Sequence, residues 1–137
     1  MNKQRMLKWG TAGFIGLCAL SLLSVSLMAF SNPQSVMDLV SVTLNNTDAY
    51  SSIRGVYGGA GMAMVLLLVY LIRHDRQIAL LFLSLLWGLY ALSRLITIFA
   101  EGPLGDFGLK WIVTETVLCI IAVVLFVLNR KPASQHD

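Results

Sequence analysis

Arg54, Arg94 and Glu115 are charged side chains at the rim of, or inside, the long apolar runs of this chain. Tyr57 follows Arg54 by three residues, and Glu101 lies seven beyond Arg94, two turns along one helical face. Two guanidinium groups, two carboxylates and a phenol so placed can do one of three things. They can neutralise one another as ion pairs, hold an anion or a small polar ligand, or pass a proton through Glu115. They do not compose a hydrolytic or metal centre. No histidine falls within an apolar run, no two carboxylates share a turn, and no serine or threonine of a run has a histidine near it. Cys18 and Cys119 each lie near the middle of a run without paired-ligand spacing, and are expected as small buried residues. The residue pattern therefore predicts neither an enzyme nor a metal or cofactor.

The elements that must position these groups are legible from composition. Of 137 residues 57% are hydrophobic and 12% charged, where soluble domains carry about 25% charged residues. Four apolar blocks each approach the ~20 residues of a spanning helix, at about 9–30, 53–72, 78–99 and 109–128. The expected fold is all-α: an integral membrane four-helix bundle forming a single domain, 1–137. The basic start before the first block resembles a secretory leader with a small-x-small site at Ala29-Phe30-Ser31. Its apolar run of about 22 residues is longer than a leader uses, so a retained helix is expected.

Ser31–Ser52 is a polar connection. Asn32-Pro33 reads as a cap followed by a first-turn proline, and Val36, Leu39, Val40 and Leu44 recur at helical spacing. A short amphipathic helix on the membrane face is expected there. Lys3, Arg5, Lys8, Arg73, Arg76, Arg130 and Lys131 fall on one side of the four blocks, which places both termini in the cytoplasm and this connection outside. The cations are scattered over segment ends, so no nucleic-acid partner is expected. The expected partners are the lipid bilayer and a second copy or another membrane protein.

Depth brings the charges together. Arg94 lies five residues before Phe99, and Glu115 six after Leu109. At 1.5 Å per residue both sit roughly 8–9 Å below the external rim. An Arg94–Glu115 pair is expected, with Arg54 joining it or meeting Glu101 at the rim. Trp111, Glu115, Cys119, Ala122 and Phe126 form one stripe, expected to face inward. Gly55, Gly59 and Ala63 provide GxxxG-type spacing, Gly58 and Gly61 lie on the neighbouring face, and Gly10, Gly13 and Gly16 make a similar track. The stretch GVYGGAG lacks the Lys-Ser/Thr ending of a phosphate loop and succeeds no strand, so a nucleotide site is not expected there.

Arg54-Gly55-Val56-Tyr57-Gly58-Gly59, then Arg94, the turn Glu101-Gly102-Pro103 and Glu115, occur in that order. This combination resembles the domain-of-unknown-function family numbered 4345 over roughly Ser31 to Leu128. The resemblance implies a small four-helix membrane protein, mostly bacterial, without an assigned activity. It groups Arg54, Tyr57, Arg94 and Glu115 as one constellation and supplies no substrate. Glu101 stands where aspartate is as frequent. The leading expectation is a structural or partner-interacting protein of the bacterial inner membrane, with a buried Arg/Glu layer near the external face. The alternative is a small-molecule or anion binder, or carrier, using Arg54, Tyr57, Arg94 and Glu115.

Overall fold

The computed structural model describes residues 2–130; Lys131 and His136 lie outside the described residues. Those described form helices and turns only: α1 (Lys3–Ser31), α2 (Pro33–Asp38), α3 (Thr47–Ile53), a π-helical stretch (Arg54–Ala60), α4 (Gly61–His74), α5 (Arg76–Ala100) and α6 (Asp106–Leu128). Lys3–Ser31, Thr47–His74, Arg76–Ala100 and Asp106–Leu128 are long and apolar enough to cross a membrane. Leu20, Leu66, Leu89 and Val113, one from each, are between 62% and 64% exposed. In water such exposure forfeits roughly 25 cal/mol for every Å² of apolar surface left unburied. Against hydrocarbon it costs nothing, and backbone groups satisfied within each helix meet the bilayer's other demand.

Local chemistry sets the helix ends. Asn32 accepts from the Gln34 amide at 3.1 Å and Pro33 opens α2; Asn46 accepts from the Ala49 amide at 2.8 Å and opens α3. Asp75 alone separates α4 from α5, its Oδ1 accepting from the Gln77 and Ile78 amides at 2.9 and 3.1 Å. Gly102, at φ +111°, takes the left-handed conformation that ends α5.

The chain divides into two compact units, Ala12–His74 and the start of the chain through Thr11 together with the chain from Asp75 onward. In the first, α2 is shorter than the spacing of Val36 to Leu44 predicts. It stops at Asp38, and the chain turns through Ser41 at φ 57°. Gln34 organises this turn from within α2. Its Nε2 donates to Asp38 Oδ1 and the Val42 carbonyl at 2.7 and 2.9 Å, and its Oε1 accepts from the Leu44 amide at 2.9 Å. Val36 and Met37 bury themselves with Ala29, and Leu44 and Ile53 pack against them.

The same unit brings α1 against the π-helical stretch and α4. Ser26 Oγ donates to the Gly58 carbonyl at 2.6 Å. A Cβ on Gly58 would stand 3.0 Å from the Phe30 ring, and one on Gly61 would stand 3.3 Å from Ser26 Cβ. Gly58, Gly61, Val65, Leu68 and Leu71 are the buried ridge. Gly55 has nothing within 4 Å of a Cβ, Gly59 only the Arg54 carbonyl of its own turn at 4.0 Å, and Ala63 is exposed. Close approach therefore uses the Gly58–Gly61 face, about a quarter turn from the Gly55–Gly59–Ala63 edge. Gly10, Gly13 and Gly16 likewise have nothing within 4 Å.

In the second unit α5 and α6 run antiparallel. Gln77 Nε2 donates to the Phe126 carbonyl at 3.3 Å, and Cys119 Sγ to the Ser84 carbonyl at 3.4 Å. Gly88 leaves room for the Cys119 sulfur, 3.3 Å from where its Cβ would be. Thr11 is fully buried and accepts from Asn129 Nδ2 at 3.0 Å, tying the start of α1 to the end of α6.

One substitution made at two glycines tests the seam. Gly58→Leu should lower stability by about 1–3 kcal/mol through overpacking, while Gly55→Leu should change it little. Thermal midpoints of the two variants in one detergent distinguish the faces.

Candidate functional site

Arg94 lies six residues before the end of α5, and Glu115 nine residues into α6. The two side chains meet across the antiparallel α5–α6 pair. There Arg94 Nε donates to Glu115 Oε2 at 2.6 Å and an Nη donates to Oε1 at 2.8 Å. Fork meets fork, the strongest geometry open to these two groups. The Glu115 side chain is 3% exposed and that of Arg94 22%. Phe107 lies beside the guanidinium, 5.9 Å from Cζ to ring centroid, and stacks at a tilt on Trp111 with centroids 6.0 Å apart.

The rest of α6 explains why Glu115 is inward. Glu115 and Ala122 are buried, and Trp111, Cys119 and Phe126 on the same stripe are partly covered. Ser84 and Gly88 on α5, facing Cys119, keep the two backbones close enough for the arginine to span the gap. An unpaired charge in a spanning helix costs about 2.5–3.5 kcal/mol on insertion scales. The bidentate contact offsets that for both partners at once.

Arg54 belongs to the other unit and has a different occupation. Its Nε donates to the Phe30 carbonyl at 3.3 Å, at the C-terminal end of α1, whose own last turn holds no basic residue. A cation there satisfies a terminal carbonyl and meets the negative end of the helix dipole. Tyr57 lies three residues on, within the π-helical stretch, and is exposed. Glu101 caps the end of α5, exposed, its amide bonded to the Thr97 carbonyl at 2.8 Å. Arg94 and Glu115 thus meet directly. Arg54 and Tyr57 share no compact unit with them.

Three participants escape a reading of charges alone. Ser26, which holds the Gly58 carbonyl, falls on the α1 stripe Thr11, Ile15, Cys18, Ser26, Ala29 that is buried throughout. Its helical spacing is an available signal. Asn129 ties the two ends of its unit together, a long-range contact with no local signature. Trp87 is 4% exposed and its indole Nε1 has no acceptor among the described residues.

Substituting one partner of the pair leaves the other charged and buried, at a cost of about 3–5 kcal/mol. Glu115→Gln and Arg94→Leu should each lower the folded yield in detergent sharply. Arg94→Leu combined with Glu115→Leu should recover most of the loss, measured as monodisperse protein by size exclusion.

The family model described as Domain of unknown function (DUF4345) matches residues 11–126, a range that takes in Arg54, Tyr57, Arg94, Glu101 and Glu115. Comparison with curated proteins and with solved structures returned no match to either.

Proposed function

The chain belongs to that family, whose description assigns no activity, and from this premise we propose a structural, non-enzymatic membrane protein. The Arg94–Glu115 pair fixes the register of α5 against α6, and the hairpin presents apolar flanks to lipid and to a partner in the membrane. One observation carries this reading. Both Glu115 oxygens are taken up by two nitrogens of a single guanidinium, and the carboxylate is buried. A group engaged in that way holds helices together and has little capacity left for a ligand. Arg54, bonded to the end of α1, is structural in the same sense.

The charge swap is the decisive test. Arg94→Glu and Glu115→Arg alone should each reduce folded protein, and the double swap should restore it to within about two-fold of wild type. Singles that fold normally would sink the structural role.

The membrane is taken to be the bacterial inner membrane, with both termini cytoplasmic and Ser31–Ser52 outside; the distribution of lysine and arginine supports this. In a background of Cys18→Ala and Cys119→Ala, an impermeant maleimide should label Ser41→Cys on intact spheroplasts. Asn2→Cys should be labelled only after permeabilisation, and the reverse result would invert the topology.

A second reading, a small-molecule binder, draws support from Trp87. An N–H buried without an acceptor costs about 1–3 kcal/mol, which a ligand carbonyl or other acceptor would recover. A small molecule retained by the wild type on gentle extraction, and lost from Trp87→Phe, would decide for it. Identical native mass spectra of the two proteins would decide against it.

A further inference from the structure

The basic residues that the sequence scatters over segment ends are gathered by the unit that joins the start of the chain to α5 and α6. Three contacts do the gathering. An Nη of Arg76 donates to the Lys8 carbonyl at 3.1 Å, so the first turns of α1 lie against the start of α5. Asn129 Nδ2 bonds Thr11 Oγ1 at 3.0 Å, and Gln77 Nε2 bonds the Phe126 carbonyl at 3.3 Å, which bring in the end of α6. Arg130 is held over the Phe126 ring, 4.8 Å from its centroid.

Lys8, Arg76 and Arg130 therefore converge at one end of this unit, with Arg5 and Lys3 continuing outward along α1. Lys8 and Arg130 are exposed and Arg76 partly so. The carboxylate beside them, Asp75, is engaged by the Gln77 and Ile78 amides. Just inside the cluster the surface is apolar: Ile78 and Val127 are 53% and 56% exposed. Trp9, next to Lys8 and 69% exposed, is an interfacial type of side chain. Cations from three helix ends above apolar flanks match one chemistry, a phosphodiester carried on acyl chains.

We propose that this end of the α5–α6 unit binds the headgroup of an anionic phospholipid, with Lys8, Arg76 and Arg130 facing the phosphate and the Ile78 and Val127 flanks taking the chains. The site rests on the multi-pass reading and uses no residue of the Arg94–Glu115 pair, so either idea can fail alone.

The test uses the full chain in detergent, offered equal amounts of phosphatidylglycerol and phosphatidylcholine, with retained lipid counted by native mass spectrometry. Wild type should retain phosphatidylglycerol at least ten-fold over phosphatidylcholine. Near a membrane surface each cation contributes about 1 kcal/mol toward an anionic lipid, so each neutralised cation should lower retention about five-fold. The triple variant Lys8→Gln, Arg76→Gln, Arg130→Gln should lose the preference. Arg130→Gln alone, at an exposed position, provides a reading should the triple variant misfold. The charge-keeping pair Lys8→Arg and Arg130→Lys should retain lipid as wild type does. Equal retention of the two lipids by wild type, or undiminished preference in Arg130→Gln, would overturn the proposal. So would displacement of the lipid by millimolar inorganic phosphate, which would identify a free-anion site instead.

Discussion

A carboxylate on a helix that faces hydrocarbon must keep its counter-charge within reach. That constraint organises the α5–α6 hairpin. Only 11% of the apolar window of α6 is buried within the chain, so α6 meets its own protein along a narrow stripe, and Glu115 lies on it. Separation of α5 from α6 would leave Arg94 and Glu115 each in a medium that does not solvate ions. The pair therefore adds little to attraction at long range and a great deal to the penalty for misalignment. Gly88, Cys119 and Ala122 serve it by being small, since an arginine arm has a fixed reach and the backbones must come within it.

The two conspicuous arginines solve the same problem with different partners. Arg94 finds a carboxylate. Arg54 finds the carbonyl end of a helix, whose partial negative charge arises from unsatisfied backbone rather than from an acidic side chain. Residue type and depth suggest one layer of charge, while contact chemistry divides it into an ion pair and a helix cap.

How much is legible in the sequence depends on the range of each signal. Hydropathy over about 20 residues locates four spans, and the caps at Asn32 and Asp75 are local enough to read from neighbouring residues. Equal depth on consecutive helices is enough to expect Arg94 beside Glu115. The glycines are harder. Spacing distinguishes a Gly55–Gly59 face from a Gly58–Gly61 face, but which one meets α1 depends on where Ser26 and Phe30 stand, and they belong to another helix. The loop after α2 is hidden for a similar reason. Hydrophobic periodicity continues through Leu44, yet the Gln34 side chain offers the backbone two hydrogen bonds, to the Val42 carbonyl and from the Leu44 amide, that a longer helix would not provide. The tie between Thr11 and Asn129 joins residues at opposite ends of the sequence, and no pattern within either segment encodes it.

The π-helical stretch Arg54–Ala60 runs without a break between α3 and α4. Its wider turns accommodate more residues for each circuit of the axis than an α-helix does. A rod of this kind separates two quantities that an α-helix couples, the number of residues in the chain and the direction its far end faces. Loss of a residue from an ordinary spanning helix turns every later side chain toward a new neighbour. Here the same loss has somewhere to be absorbed, by the relaxation of one wide turn to a normal one, leaving the buried ridge of α4 in place. The glycine-rich signature is thus also the position in this helix where the chain tolerates a change of length.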